Sequence, residues 1–268
     1  MYINKQKVTF KRFSSGELKL LNSQLCDLAK NSSVEILFNN EESIFELLLI
    51  LKYYESHNIS IDLILSYLPY QRMDHEGRDE LDTINYVAEI FNNLNLKSLT
   101  ICEPHCKTTM FNNAKQISFV KKIKQQVFDE IGFDSNNDTI VLTDKGSLNR
   151  YNDIGKNFVY FDKVRDIDTG LIIKHEIVGN LNPDSKCIIV DDIISTGDTN
   201  LNIVNHLKNL GVKQIYILCG HFEKNKHNKR LLNNNSITKI FSTNSLTKRA
   251  NKKLKLFDVK EIIYGTNN

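Results

Sequence analysis

The sequence of 268 residues predicts an α/β protein of two domains, each a mainly parallel sheet flanked by helices. Strand-length apolar runs alternate with helix-length amphipathic segments along the chain. The runs are apolar on both faces, which is typical of parallel strands covered by helices on both sides. The same rhythm starts again after a seam near residues 117–136. We therefore expect domains at 1–125 and 126–268, with one continuous sheet as the alternative.

The first domain is predicted to alternate strands and helices in a regular order. The predicted strands are SVEILFN (33–39), IDLILSYLP (61–69) and LKSLTICEPH (96–105). The predicted helices are SIFELLLILKYYESH (43–57) and DTINYVAEIFNNLN (82–95). Asp82 or Thr83 would cap the second helix.

The second domain repeats this pattern after a helix near 121–131. Its predicted strands are NDTIVLTD (137–144), NFVYFDK (157–163), SKCIIVDD (185–192) and QIYILCG (214–220). A helix at 199–211 joins the last two strands, and Gly211 is its expected end. The basic cluster KRANKK at 248–253 is interpreted as a solvated helix face.

Composition excludes several classes of protein. A net charge of +3 with scattered basic residues does not favour a nucleic-acid partner. No apolar stretch reaches the roughly 18 residues that a membrane helix needs. The N-terminal segment MYINKQKVTFKRF lacks the apolar region of a secretion signal. Five cysteines, two of them in strand-like runs, suit reduced thiols, so we expect a cytoplasmic protein.

The stretch CIIVDDIISTGDT at 187–199 is the strongest functional signal. Its apolar run ends in Asp191 and Asp192, and buried carboxylates are costly unless a hydroxyl or a cation meets them. Ligands of open α/β sheets bind beyond the carboxyl ends of strands. A strand that ends in solvated acids before an ordinary capped helix is the structural alternative.

The turn after the two acids suits a phosphate group. Its residues are Ser195, Thr196, Gly197, Asp198 and Thr199, and they lead into the predicted helix. Backbone N–H groups, hydroxyls and the positive end of a helix dipole converge in such a turn. The two acids suit vicinal hydroxyls, or Mg²⁺ held through water. Acids for the sugar and a turn for its phosphate together predict a ribose 5-phosphate site.

This stretch resembles the phosphoribosyl pyrophosphate motif of type I phosphoribosyltransferases and ribose-phosphate pyrophosphokinases. The resemblance implies two phosphoribosyltransferase-like domains and a ribose-phosphate ligand, and it leaves the reaction open. The third member of the TGxT pattern contributes its backbone, so we expect the carboxylate of Asp198 to point outward.

Four further segments distinguish the two families. RFSSGE (12–17), YLPYQRMDH (67–75), EPHCKTTMF (103–111) and DKVRD (162–166) are similar to RFSDGE, YxPYxRQDR, DLHxxQ and DKRR segments of ribose-phosphate pyrophosphokinases. With 187–199 they make five matches in family order. The common phosphoribosyltransferases lack the first two segments.

The resemblance implies ATP as a substrate and assigns roles to several residues. Lys163 and Arg165, which follow a predicted strand and precede the polar stretch DIDTG, would stabilise the transition state. Arg72 and Asp74 would contact ATP. Phe13 would stack on the adenine and Glu17 would help to hold it. In the family these last two residues reach across from a neighbouring subunit, which implies a homo-oligomer with shared active sites.

Two further residues are implied near the metal and the phosphates. His105, at the end of a predicted strand, would act in catalysis near the triphosphate and ligate Mg²⁺ or its water. Asp144 matches part of the family's SPDxGG segment and is assigned a metal or sugar role. Mg²⁺ is the cofactor that this chemistry implies.

The sequence also departs from the family. Fewer residues precede RFSSGE, the chain stops sooner, and an Arg-Gln-Asp-Arg core has become Arg72-Met73-Asp74-His75. Ribose 5-phosphate is the expected acceptor, and the altered phosphate loop makes ADP-ribose, for NAD salvage, the alternative. Two other readings are a phosphoribosyltransferase that consumes phosphoribosyl pyrophosphate and a non-catalytic regulatory homologue.

Overall fold

The computed structural model describes residues 1–29, 32–39, 43–76, 80–165, 172–223 and 225–265, of which 163–165 and 172–175 are described by their backbone alone. The chain forms two compact units, Met1–Ile117 and Ser118–Asn268. The position between residues 125 and 126, where the sequence suggests a domain boundary, falls inside a helix of the second unit, Phe119–Ile131.

The first unit is built on a six-stranded sheet with a separate two-stranded ribbon. Its strands are β1 (Tyr2–Ile3), β2 (Gln6–Lys7), β3 (Lys11–Arg12), β4 (Leu18–Lys19), β5 (Ser33–Phe38), β6 (Ser60–Leu65), β7 (Ser98–Cys102) and β8 (Ala114–Ile117). The sheet order is β2-β1-β5-β6-β7-β8, and β3 pairs with β4. Strands β5 to β8 are parallel, whereas β1 is antiparallel to both of its neighbours.

Three helices accompany this sheet: α1 (Asn22–Leu28), α2 (Ile44–Ser56) and α3 (Thr83–Asn92). Helix α2 begins with a capping box, in which Ser43 accepts from the backbone of Glu46 and the Glu46 side chain accepts from the backbone of Ser43. Asp82 occupies the N-cap position of α3, as predicted, but its side chain accepts no hydrogen bond from the backbone of the first turn of the helix.

The second unit contains a seven-stranded sheet. Its strands are β9 (Thr139–Leu142), β10 (Phe158–Arg165), β11 (Ile172–Val178), β12 (Lys186–Ile194), β13 (Gln214–Phe222), β14 (Ile237–Thr243) and β15 (Leu254–Phe257). The order is β11-β10-β9-β12-β13-β14-β15. Only the β10–β11 pair is antiparallel among these seven strands.

The helices of the second unit are α4 (Phe119–Ile131), α5 (Lys145–Tyr151), α6 (Asp198–Asn209), α7 (Lys229–Leu232) and α8 (Val259–Tyr264). Gly132 ends α4 in the left-handed region, with φ of 60°, which glycine adopts at little cost. The basic cluster 248–253 lies in the connection between β14 and β15, so its interpretation as a helix face is wrong.

Strand β12 is buried on both faces. Cys187 and Ile189 belong to the apolar cluster that includes α6, whereas Ile188 and Val190 belong to the cluster that includes Tyr151 of α5. Successive side chains of a strand point to opposite faces, so this alternation is the expected one. The near-continuous apolar run of β12 therefore reflects helices on both sides of the sheet.

The connections of the second sheet reverse direction between β9 and β12. The chain leaves β9 through α5 toward β10 on one side, and it leaves β12 through α6 toward β13 on the other. The carboxyl ends of two neighbouring strands with opposite exits flank a crevice, which is where ligands bind in open α/β sheets. Residues 143–144 and 191–199 follow or end these two strands.

The observed sheets confirm the predicted fold class of parallel α/β architecture with flanking helices. Within the part of the chain that the structure describes, no helix combines the length and the apolar character that crossing a bilayer requires.

Candidate functional site

The two central acids lie inside β12, which continues two residues beyond Asp192 to Ile194. The strand end was predicted at Asp192 itself. Because neighbouring side chains alternate between faces, Asp191 meets a residue of α6 and Asp192 meets a residue of α5. The pair is thus divided between two local environments.

Asp191 is held by neutral donors. The side-chain amide of Asn200 donates to Oδ2 over 3.0 Å, and the Thr143 hydroxyl donates to Oδ1 over 3.3 Å. Burial, followed by the charge of Asp192, raises the pKa of Asp191 well above its ordinary value. The neutral form of this carboxyl group is therefore favoured more than in an exposed aspartate.

Asp192 is paired with a cation. The Nη2 atom of Arg150 lies 3.2 Å from Oδ2 of Asp192, whose side chain is 2 % exposed. Arg150 projects from α5, which Asp144 caps by accepting a hydrogen bond of 2.8 Å from the backbone of Ser147. The residues after β9 therefore supply both a half-buried carboxylate and the partner of Asp192.

The loop after β12 leads directly into α6. Gly197 has φ of 80°, in the left-handed region, and α6 begins at Asp198. Thr196, Asp198 and Thr199 are exposed. The first N–H groups of a helix have no intrahelical partner, so the loop offers backbone donors next to two exposed hydroxyl groups.

The segment after β13 holds this loop in place through hydrogen bonds with Ser195. The Ser195 hydroxyl donates to Oε2 of Glu223 over 2.5 Å. The side-chain amides of Asn225 and Asn228 donate to the Ser195 carbonyl over 3.0 Å and 3.2 Å. Ser195 is therefore an anchor of the loop, while Thr196 and Thr199 keep exposed hydroxyls.

Lys163 and Arg165 lie within β10, which extends two residues past the predicted strand end. The strand pairs with β11, and Lys163 stands opposite His175. The register shifts between Val164 and Arg165, so the ladder is irregular at this end. The predicted loop DIDTG at 166–170 lies outside the described residues. The structure thus places both backbones near the tip of a hairpin.

In the first unit, His105 follows β7. Its backbone N–H donates to Oε1 of Gln71 over 2.8 Å, and the Gln71 side chain is fully buried. This bond joins the segment 67–75 to the segment 103–111, two of the stretches with a family resemblance. Glu103, the first residue of the second segment, adopts a φ of 44°, which is uncommon outside glycine.

Arg72 and Asp74 lie in the turns that follow β6. Arg72 is exposed, and Oδ1 of Asp74 lies 3.0 Å from Nδ1 of His75. The hydrogen bond with Asp74, and then its charge, raise the pKa of the exposed His75. His75 therefore carries a positive charge over a wider pH range than an ordinary histidine.

Phe13 and Glu17 frame the turn of the β3–β4 ribbon. The Phe13 N–H donates to the Glu17 carbonyl over 2.9 Å, and the Phe13 ring is 52 % exposed. The ammonium group of Lys19 lies 5.7 Å from the centre of that ring. An exposed aromatic ring on a short ribbon is available for stacking on a flat ligand.

The donor set fits a magnesium ion that shares its coordination with substrate. Among the described residues, no three His, Cys, Asp or Glu side chains form a metal cluster. Magnesium is usually held by one or two carboxylates together with phosphate oxygens and water. Asp144 is half-buried and lies two residues beyond the end of β9, so it can supply one such oxygen.

A polar cavity of about 350 Å³ lies at the amino ends of β9 and β10 in the second sheet. The acids lie at the other end of the strands, near the carboxyl end of β12. Its lining residues are Asn136, Asn137, Thr139, Lys156, Asn157, Phe158, Asn180 and Asn182. Ligands of parallel sheets bind at the carboxyl ends of the strands, so this cavity is not the candidate site.

Comparison with known families decides the relationship. A model of the phosphoribosyl transferase domain matches residues 107–258, more than half of the chain. The chain belongs to this family. The ribose-phosphate pyrophosphokinase of Sulfolobus acidocaldarius is 28% identical over 214 residues, covering 76% of this chain and 71% of that protein. The ribose-phosphate pyrophosphokinase of Sulfurisphaera tokodaii is 26% identical over 249 residues, covering 90% and 84%.

The crystal structure of phosphoribosylpyrophosphate synthetase from Mycobacterium smegmatis has the same fold. Its TM-score is 0.75 at 19% identity, and the match covers 95% of this chain and 87% of that one. The predicted resemblance, the pair of phosphoribosyltransferase-like domains and the assignment to a transferase class of enzyme are thereby confirmed.

The structure adds three residues to which the sequence assigned no role: Arg150, Asn200 and Arg230. Asn200 stands at the third position of α6, where a side chain can turn back toward β12, so helix geometry could have indicated it. Arg150 and Arg230 come from elements that only the folded sheet brings to the site, and no local pattern marks them.

Proposed function

We propose that this protein is a Mg²⁺-dependent pyrophosphokinase. It transfers the β,γ-diphosphoryl group of ATP to the C1 hydroxyl of a ribose 5-phosphate unit. The observation that carries the proposal is the crevice between β9 and β12. Asp144 and the 195–199 loop follow the ends of these adjacent strands, and the two acids lie near the carboxyl end of β12. Family membership and the names of the relatives support the same reaction.

The sugar would be held by the second unit. Carboxyl groups at positions 191 and 192 can accept hydrogen bonds from the vicinal hydroxyls of ribose. The exposed hydroxyls of Thr196 and Thr199 and the first N–H groups of α6 can bind the 5-phosphate. Together these groups fix both ends of one pentose and leave its C1 hydroxyl as the reacting group.

In the reaction, the C1 oxygen attacks the β-phosphorus of ATP and its hydroxyl proton passes to water. The bond from the β-phosphorus to the bridging oxygen of the α-phosphoryl group breaks, and AMP leaves. Charge on the transferred oxygens is the main obstacle, so catalysis depends on positioning and on cations. We assign this role to Lys163 and Arg165, at the end of β10.

Asp144 and His105 are the residues that we propose to hold the metal, directly or through water. When bound, Mg²⁺ supplies positive charge to the phosphoryl oxygens. The hydrogen bond that the His105 N–H donates to Oε1 of Gln71 fixes the backbone of His105, which limits where its imidazole can lie.

We further propose that the first unit binds ATP, through Arg72 and Asp74 and through stacking on Phe13, with Glu17 helping to hold the adenine. The hairpin that carries Phe13 and Glu17 would serve a neighbouring subunit in a homo-oligomer. The exposure of both side chains supports an intermolecular role. We also propose that the protein is cytoplasmic and that its product is used in nucleotide or NAD synthesis.

ADP-ribose is the alternative acceptor, since it offers the same C1 hydroxyl. The observation that favours it is the charged pair of Asp198 and Arg230 at the phosphate loop, which a plain monoester site does not need. A phosphoribosyltransferase would use 187–199 but has no role for the segments 12–17 and 67–75. A regulatory homologue would not need the cations of β10.

A product assay tests the proposal. The protein is incubated with ATP and Mg²⁺ and with ribose 5-phosphate or ADP-ribose, and AMP is measured by chromatography. We expect sugar-dependent AMP with at least one acceptor, and loss of activity with a chelator. Absence of AMP with both sugars would contradict the proposal. ATP-independent release of pyrophosphate from phosphoribosyl pyrophosphate and a base would favour the phosphoribosyltransferase instead.

A further inference from the structure

An acidic side chain lies at the mouth of the phosphate loop. Asp198 is the first residue of α6, and its carboxylate is 56% exposed. A hydrogen bond from the Thr196 hydroxyl, followed by the charge of Arg230, holds the pKa of Asp198 below its usual value. The loop therefore carries a negative charge beside the hydroxyls and backbone N–H groups that would contact a phosphate.

Arg230 is the cation that faces this carboxylate. Its Nη2 atom lies 2.5 Å from Oδ1 of Asp198, and its side chain is 62% exposed. His227, on the same segment, adds a smaller effect on the pKa of Asp198. An exposed guanidinium has five donors, so one that binds a carboxylate can bind a phosphoryl oxygen as well.

The position of Arg230 is built into the fold. Asn228, two residues earlier, is fully buried and donates to the carbonyls of Ser195 and Glu223. On the other side of Arg230, Leu231 packs against Gly197, where an added Cβ would lie 3.4 Å from Leu231 Cδ2. The two neighbours fasten α7 to the loop, so Arg230 stays beside residues 196–199 whatever its side chain contacts.

We propose that Arg230 is a specificity-determining residue of the sugar-phosphate loop. It offsets the charge of Asp198 and contacts a phosphoryl group at the 5 position of the sugar. Without it, the carboxylate would repel the incoming phosphate, and a charge-assisted contact would be lost as well. This inference rests on the proposed function, because it names a residue that selects the acceptor of that reaction.

A double-mutant cycle tests the coupling between the two side chains. Dissociation constants and KM are measured for ribose 5-phosphate and ADP-ribose with Arg230→Ala, Asp198→Asn and the double variant. We expect Arg230→Ala to raise both constants about ten-fold or more for the true acceptor, with kcat changed less than about two-fold. In the double variant, Asp198→Asn should restore the part of that loss that comes from charge repulsion but not the part that comes from the lost contact. Arg230→Lys should retain part of the binding.

Lys229→Ala is the matched control, since it removes an exposed cation from the same short helix. It should leave both constants near those of the wild type. Unchanged sugar binding in Arg230→Ala would overturn the role of Arg230. If the wild type still forms AMP in that case, the proposed function stands. A wild type that binds neither sugar and forms no AMP would overturn both. The acceptor with the larger loss identifies the phosphoryl group that Arg230 contacts.

Discussion

At the scale of single residues, the two strand acids are accommodated in different ways. Asp191 is met by the neutral donors of Asn200 and Thr143, and Asp192 is met by Arg150. The sequence indicated that something must meet these acids, because unpaired buried carboxylates are costly. It could not indicate what, since the partners come from other elements of the sheet.

The pair of Arg150 and Asp192 should contribute to stability. Arg150→Met keeps the length of the side chain but leaves Asp192 buried without its cation. We expect a loss of about 3 kcal/mol in the free energy of unfolding, measured by chemical denaturation. Lys121→Met is the control, because its partner Asp153 is 59% exposed. That change should cost less than ~1 kcal/mol, and equal losses in both variants would contradict the account.

His75 should make ATP binding depend on pH. Its pKa is raised by Asp74, so the positive charge is present below that pKa and is lost as the pH rises through it. The KM for ATP should therefore increase with pH in this range. In His75→Arg the charge is permanent, and the increase should disappear. A KM profile that is the same in both proteins would show that His75 does not contact the nucleotide.

At the scale of elements, strongly patterned segments were predicted well. The apolar run of β12 and the capped helix α2 both lie within a few residues of their predicted positions. Strand β11 was missed because IIKHEIV has polar residues at its centre and no clear period. The very short strands β1 to β4 were missed because a pair of residues carries no periodic signal.

The β10–β11 hairpin should carry the catalytic cations. Lys163→Ala should lower kcat by on the order of 10³-fold, as removal of a preorganised donor does, while ATP binding survives. Lys156→Ala removes an exposed cation at the other end of β10 and serves as the control. Turnover that is unchanged in Lys163→Ala would remove this residue from the mechanism.

At the scale of the whole molecule, each unit shows its own organisation. The second unit reverses direction between β9 and β12, which creates the crevice. In the first unit, β5 to β7 follow each other in one direction, and right-handed connections place α2 and α3 on the same face. The sequence predicted two parallel sheets, but strand order depends on contacts distant in the chain, so it could not predict the reversal.

The face of α2 and α3 should take part in assembly. Phe45 and Leu49 on α2, and Tyr86 and Ile90 on α3, are between 43% and 65% exposed. Each pair is spaced four residues apart and so lies on one side of its helix, and exposed apolar patches mark protein interfaces. Phe45→Asp combined with Tyr86→Asp should lower the mass measured by light scattering, whereas Lys213→Asp should not. A wild type that is already monomeric would contradict the proposed homo-oligomer.

Transfer of an intact diphosphoryl group to C1 of a ribose distinguishes the proposed reaction from other uses of ATP. The most direct measurement is ³¹P NMR of the protein with ATP, Mg²⁺ and either sugar. We expect one AMP for each new diphosphate attached at C1, with the 5-linked phosphorus retained. Formation of ADP with a single phosphoryl group at C1, or release of AMP without a new phosphorylated sugar, would contradict the proposed reaction.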